Sequence, residues 1–490
     1  MPENKKVQPK KILISFIIIL IGTNLINYFM FGYRPAKSQL DRLEPDPAYA
    51  LDATKLQEEM ALFGEVLELV SGYFFETVDP VVLIHGAIQG ALEALDDPQT
   101  RFYDTRELQN FLTNTTGSFS GIGVRIIDVD DSVVIFETIE NTPAERAGLY
   151  PGDRIRSAGG EDLTGQGVDR AVELLRGPKG TTVEVNVERP GAAEPLLITL
   201  ERDDIQMATV SSRMLEPGLG YIEISNFDSH TGTSFSEQLR SLEGMELNKG
   251  LILDLRGNPG GLVDQAIQVA KELVPEGEIT RLVDRNGAIQ NIHYSTASLK
   301  PYPLVVLVNE GTASAAEIVA GALQDHEAAL LVGTNTYGKA TVQHLERLSG
   351  DNALQLTVAK YLTPSGRDLH KKGLEPDYLV ELPAALKYYR YFLPGRLEKG
   401  NYGPYVELLQ EMLAELGYAV APNGYYDNVT AEALASFQKG AGLTANGLFD
   451  DLTWIQLREA LDQAALTSDA QLQKAVDLIG QPALWAHLRR

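Results

Sequence analysis

At 490 residues the chain is about three times the ~150 residues of an ordinary domain, which excludes a single core and predicts a modular protein. Hydrophobic residues make up 44% and charged residues 22%, a globular composition that excludes disordered, collagen-like and coiled-coil chains. Forty-two Lys and Arg against 67 Asp and Glu leave a net charge of -25, which repels phosphate backbones and argues against a nucleic-acid partner. The absence of Cys excludes thiol nucleophiles, disulfides and thiolate metal sites.

Lys5, Lys6, Lys10 and Lys11 precede an apolar run from Ile12 to Tyr33. As a helix of about 22 residues the run would measure ~33 Å, enough for a bilayer core. The leading lysines set residues 1–11 as a cytoplasmic tail, and Tyr28, Phe29, Phe31 and Tyr33 mark the far interface. Arg34-Pro35-Ala36-Lys37 is a poor cleavage site, so 12–33 is expected to be an uncleaved transmembrane signal anchor, with the rest of the chain outside the cytoplasm at the cell membrane.

Residues 34–115 form a helical region. Apolar residues recur at helical spacing (Met60, Phe63, Val66, Leu67, Val70) and again from Val81 to Leu95, with breaks at Asp79-Pro80 and Asp97-Pro98. Over 116–202 the texture changes to β-branched runs at 124–127, 133–136, 183–187 and 196–200, with one helix at 168–176, which predicts a compact β domain. From 203 to 397 strand-like runs (219–224, 250–255, 304–309, 329–333) alternate with helical ones (235–242, 262–273, 314–325), the pattern of a βαβ core with a largely parallel sheet. Gly- and Pro-rich stretches near 393–404 open a small helical module over 398–460. A helical tail occupies 461–490, its helix expected at Ser468 with Gln471 completing a capping box. The fold class is therefore multidomain α/β.

Three motif matches fail on inspection. His326-Glu327 lacks the second His, since Leu330 stands there; Gly333 to Lys339 matches a phosphate loop, but Ala340 replaces the magnesium-binding hydroxyl; and Ser436 with Lys439 has no companion penicillin-binding motifs. Ser314 has a different setting. It follows an apolar strand and opens a helix, and although Ser-x-x-Glu317 reads as a capping box, a strand-to-helix switch is also where α/β active sites form, with backbone N–H groups available to an oxyanion. A serine needs a base, and Lys339 can supply one if desolvation leaves its amine neutral; Gln343 can orient that amine without adding charge. Four residues of regular strand would part Lys339 and Gln343 by ~13 Å, so irregular backbone is expected, with Gly338 as the flexible point. The turn Arg256-Gly-Asn-Pro-Gly260-Gly261 lets main-chain N–H groups approach a substrate.

Asp254-Leu-Arg-Gly-Asn-Pro-Gly-Gly261, Gly311-Thr-Ala-Ser314-Ala-Ala-Glu317, Tyr337-Gly-Lys339-Ala-Thr-Val-Gln343 and Tyr361-Leu-Thr-Pro-Ser-Gly-Arg367 together resemble the carboxy-terminal processing peptidases, or tail-specific proteases, in order and spacing. The resemblance covers about residues 56–386. It implies that Ser314 is the nucleophile, Lys339 the general base and Gln343 the residue that positions the lysine. It also implies oxyanion donors at the N–H of Ala315 and of Gly260 or Gly261. The β domain is similar to a PDZ domain, with Gly121, Ile122, Gly123 and Val124 in the loop that receives a peptide's terminal carboxylate, and with Arg176 as a connection to the protease body. Residues 403–458 resemble the three-helix peptidoglycan-binding module through Leu409-Gln410, Asn423-Gly424, Phe437-Gln438 and Asn446-Gly447, most of which read as core and turn positions.

The expected protein is a membrane-anchored, extracytoplasmic serine endopeptidase that needs neither cofactor nor metal. Its expected partners are protein tails with free C-termini, the membrane, peptidoglycan and a second copy of the chain. The alternative is a non-catalytic PDZ and wall-binding scaffold.

Overall fold

The computed structural model describes residues 52–129, 132–189, 192, 194–382, 385 and 396–488. The expected tail and membrane anchor at 1–33 lie outside the described residues; among the described residues no helix is long and apolar enough to cross a membrane. The chain divides into two units: one ends at Thr105 and includes Gln343–Thr357, and the other holds Arg106–Val342 and the chain from Val358 onward.

In the first unit, α1 (Ala53–Tyr73) starts where the Asp52 side chain accepts the N–H groups of Thr54 and Lys55. The Asp79-Pro80 break is the start of α2 (Pro80–Glu93): Asp79 accepts the Val81 N–H, and Pro80 occupies the first turn, where no donor is needed. β1 (Arg101–Tyr103) pairs antiparallel with the first residues of β18 (Ala353–Leu362), Arg101 lying opposite Gln355.

In the second unit, α3 (Thr105–Thr116) leads into the β domain. Its first strand β2 (Ser118–Gly121) pairs with its last, β9 (Asp203–Gln206), so the chain enters and leaves at one place. Between them β3 (Val124–Val129), β4 (Ser132–Thr138), β5 (Arg154–Ala158), β7 (Thr182–Glu188) and β8 (Leu196–Glu201) form an antiparallel sheet in that order, with β6 (Glu161–Asp162) beside β5. The short helix α4 (Pro143–Arg146) and α5 (Gly167–Leu175) complete a core built on Ile122, Ile135, Leu149, Ile155, Val185 and Leu200.

The βαβ core is a six-stranded sheet in the order β10 (Val210–Glu216), β11 (Leu219–Ile224), β12 (Gly250–Asp254), β15 (Leu304–Val308), β16 (Leu330–Gly333), β19 (Tyr378–Leu379). All its pairings are parallel except β10 to β11. β12 and β15 are buried at every residue, which is why they read as unbroken apolar runs. Successive side chains alternate between two cores. Leu251, Leu253, Leu304 and Val306 face α6 (Thr231–Gly244), α7 (Val263–Leu273) and α8 (Ala315–Asp325), whereas Ile252, Val305 and Leu307 pack with Ala475, Leu478 and Trp485 from the chain's far end. The hairpin β13 (Gly277–Val283) and β14 (Ile289–Ser295), with β17 (Thr341–Arg347), had no clear sequence signal.

The last module consists of α9 (Pro404–Glu415), α10 (Asn428–Gly440) and α11 (Asp451–Ser468) around Val406, Leu409, Leu434, Phe437 and Trp454. Buried Gln410 donates to Asn423, Tyr425 O and Thr430, and buried Gln438 repeats the pattern on Asn446, Leu448 O and Thr453. These motif residues are therefore structural. Helix α11 runs through the expected boundary at 460, and the cap expected at Ser468 belongs instead to Asp469, which accepts the Leu472 N–H and starts α12 (Ala470–Ile479), followed by α13 (Pro482–Leu488). Gln471 is not a capping partner: its amide donates to Val380 O (2.7 Å).

Candidate active site

Two turns meet at the carboxyl ends of the central parallel strands, the usual position of an α/β site. The turn after β12 contains Gly257, Gly260 and Gly261, at φ 67°, 100° and 134°. A turn with so little intrinsic preference is held from outside. Gly257 N–H donates to Asn309 Oδ1, and fully buried Asn258 accepts the Gly260 N–H, donates to Ile224 O and offers its carbonyl to Ala313 N–H. A Cβ at Gly260 would lie 2.7 Å from Ser314 Cβ, and one at Gly261 would lie 2.1 Å from Phe227 O. Only glycine fits against the serine here.

Ser314 adopts φ 55°, ψ -116°, whereas an ordinary N-cap residue is extended. Such backbone costs of order 1–3 kcal/mol and persists only where its surroundings enforce it. Ala315 is the first residue of α8, so its N–H has no partner within the helix and faces the start of the helix dipole.

Glu317, fully buried one turn into α8, enforces that geometry. Its Oε2 accepts the N–H groups of Ser314 (2.9 Å) and Lys339 (2.9 Å); its Oε1 accepts the Gly338 N–H (2.8 Å) and the Thr336 hydroxyl (2.5 Å). The hydroxyl of Tyr361, on β18, lies 3.0 Å from both Ser314 O and Lys339 O. Burial, and then the Glu317 charge, push the Tyr361 phenol well above its ordinary range, so it stays a neutral donor. Sequence reasoning treated Glu317 as a helix cap and gave Tyr361 no role. A carboxylate set among the apolar residues of Ala-Ala-Glu317-Ile-Val-Ala was the available signal.

Lys339 precedes β17 in irregular backbone, with Gly338 at φ 84° and packed against Lys372 and Gly373. Gln343 lies on β17, and its amide donates to Thr357 Oγ1 (3.2 Å) within the first unit. Asp254, at the end of β12, is fully buried. Burial raises its carboxyl, but the Arg256 charge with hydrogen bonds from Arg256 and Tyr221 outweighs this and holds it below the ordinary aspartate value. In the β domain, Gly121, Ile122, Gly123 and Val124 line a cleft of about 80 Å³ with Phe119, Val172 and Leu175. Arg176 forms part of its wall, its guanidinium 5.3 Å from the centre of the Phe119 ring.

Comparison with known proteins accounts for this combination. Residues 218–380 match peptidase family S41, 111–188 a PDZ domain, 402–457 a peptidoglycan binding domain, and 20–107 the N-terminal domain of the activating protease CtpB. The carboxy-terminal processing protease CtpA of Bacillus subtilis is 35% identical over 417 residues, covering 85% of this chain and 89% of that protein. The chain belongs to peptidase family S41. A second B. subtilis relative, the carboxy-terminal processing protease CtpB, is 32% identical over 91% of this chain and 96% of its own. Among solved structures, a photosystem II D1 C-terminal processing protease is 32% identical, covers 66% of this chain and 93% of its own, and superposes with a TM-score of 0.40. This S41 member is thus a carboxy-terminal processing serine protease with a PDZ domain and a peptidoglycan-binding domain.

Proposed function

We propose that the protein is a membrane-anchored, extracytoplasmic endopeptidase that cuts protein substrates near their C-termini, with Ser314 as nucleophile and Lys339 as general base. The observation that carries this is the strained Ser314 backbone, tied through Glu317 to the Lys339 backbone. The neutral Lys339 amine takes the Ser314 proton as Oγ attacks the scissile carbonyl. The N–H groups of Ala315 and of Gly261 receive the oxyanion, since the Gly260 N–H is already given to Asn258 Oδ1 (2.8 Å) and the expected choice of Gly260 is set aside, and the resulting ammonium protonates the leaving amine. Water then attacks the acyl-enzyme by the same route in reverse. Gln343 orients the lysine, as the resemblance implies. The PDZ cleft holds a substrate's terminal carboxylate on the loop 121–124, and Arg176 relays its occupancy to the protease body.

The basic start and apolar run at 12–33 support the anchor, and the 402–457 match supports attachment to peptidoglycan. Exposed Met60, Leu62, Val66, Leu69 and Val82 on α1 and α2 support pairing with a second copy. The deciding experiment is hydrolysis of an unfolded casein-like substrate and labelling by a fluorophosphonate. Wild type cleaves and is labelled at Ser314, Ser314→Ala does neither, and Lys339→Ala folds without cleaving. Hydrolysis by Ser314→Ala at the wild-type rate removes the assignment.

A further inference from the structure

We infer that Asp469 and Gln471, at the start of α12, are positioning residues for the glycine turn beside Ser314 and act through Arg256. This rests on the reading of that turn as the oxyanion-binding element. Arg256 directly precedes the turn, and its guanidinium is held from two sides. On one side Asp254 takes Nε at 3.0 Å on each oxygen and Nη2 at 2.6 Å, while Asp254 Oδ2 also accepts the Tyr221 hydroxyl at 2.7 Å. On the other side Nη1 reaches Asp469 Oδ2 at 2.8 Å and Gln471 Oε1 at 3.1 Å. The Arg256 side chain is 16% exposed, that of Asp469 9%, and Gln471 is buried, so these contacts are shielded from competing water.

The sequence separation gives the arrangement its meaning. Between Val380 and Asp469 the chain builds the whole peptidoglycan-binding domain, then returns to the place it left, where Gln471 donates to Val380 O at 2.7 Å. The returning helix covers the second face of the protease sheet, and its first residues fix the arginine at the base of the turn. Gly257, Gly260 and Gly261 allow that turn many conformations, so the anchor at its amino end restricts where its N–H groups point. Releasing Arg256 from α12 leaves Asp254 as a single-sided hold. The turn then samples geometries in which an oxyanion meets no donor, while substrate binding in the PDZ cleft is untouched.

The test is steady-state hydrolysis of a peptide substrate by the full chain carrying Asp469→Asn. Asparagine caps a helix as well as aspartate does, so α12 keeps its cap and loses only the charge partner of Arg256. The expected result is a fall in kcat of about tenfold or more with KM within about twofold. Asp469→Glu, which restores the charge, is expected to recover most of the rate. Asp450 makes the equivalent bond to the Thr453 N–H at the start of α11. Its Asp450→Asn variant is expected to keep the wild-type kcat. A kcat for Asp469→Asn within about twofold of wild type, a change confined to KM, or an equal loss in Asp450→Asn overturns the inference. Ser314→Ala in the same assay separates the two levels: its retention of activity would remove the underlying reading, whereas an inactive Ser314→Ala beside an unaffected Asp469→Asn removes only the role of α12.

Discussion

Ser314 and Lys339, 25 residues apart, share two partners of their backbones: their N–H groups converge on Glu317 Oε2, and their carbonyl oxygens converge on the Tyr361 hydroxyl. The carboxylate and the phenol therefore fix the separation of the two peptide units independently of what either side chain does. Glu317→Gln keeps the shape but turns an amide NH2 toward N–H donors. Losing buried charge-assisted hydrogen bonds costs about 1.5–3 kcal/mol of stability. If the Ser314 and Lys339 backbones part, kcat falls by roughly 10- to 100-fold. Thermal unfolding and single-turnover acylation measure the two effects; an unchanged acylation rate would show that Glu317 is only a helix cap.

Tyr361→Phe removes the other half of the bracket. The single phenolic O–H shared by the two carbonyls is lost, at about 1–3 kcal/mol, while Ser314 O keeps the Ile318 N–H and the apolar ring remains in place. Because Glu317 still holds both N–H groups, the loss of kcat is expected to be smaller than in Glu317→Gln, and the double variant should lose less than the product of the single effects. Strict multiplicativity in a double-mutant cycle would mean that the two side chains do not act on one geometry.

Much of this arrangement was legible in the sequence because period and punctuation are local. The runs at 219–224, 250–255 and 304–309 and the helices after them fell close to β11, β12, β15, α6, α7 and α8, and the serine at the strand-to-helix switch stood out by its position. Long-range partnership was not legible. Nothing near Arg256 in sequence points to Asp469, and the tail after 461 reads as an appendage although Ala475, Leu478 and Trp485 fill the second core of the protease sheet. Glu317 was hidden for another reason: one Ser-x-x-Glu pattern serves both as a helix cap and as a link to a distant loop.

The loop 121–124, which we propose receives a peptide's terminal carboxylate, offers a sharp steric test. Gly123 has φ 86°, and a Cβ there would fall 2.3 Å from Thr142 Cβ, on a residue whose hydroxyl is fixed to Ile139 O at 2.6 Å. Gly123→Ala is therefore expected to displace the loop and weaken binding of peptides with a free apolar C-terminus by about tenfold or more, measured by fluorescence anisotropy. Amidating the same peptides should weaken wild-type binding similarly, since the charge-assisted contacts to N–H groups are lost. Equal affinities for acid and amide would rule out carboxylate capture by this loop.

Acid should act on stability and base on rate, through different groups. Asp254 has its folded-state pKa below the ordinary aspartate value, so deprotonation is favoured in the folded protein. The stability it contributes is fully present above the unfolded value of about 4 and is lost as pH falls below that value through the folded one. Glu243, beside Lys300 and Tyr302, and Asp325, bonded to Ser365, are shifted in the same direction, so the unfolding midpoint is expected to drop on acidification below about pH 4 and to stay flat above pH 5 on their account. The rate also rises with pH, but through a different group. A lysine base works only after losing its proton, so kcat/KM should rise with pH by one proton and reach a plateau once the amine is neutral. Lys339→Ala should abolish the rise along with the activity. A rate maximum below pH 5, in protein that circular dichroism shows to be folded, would be incompatible with lysine as the base.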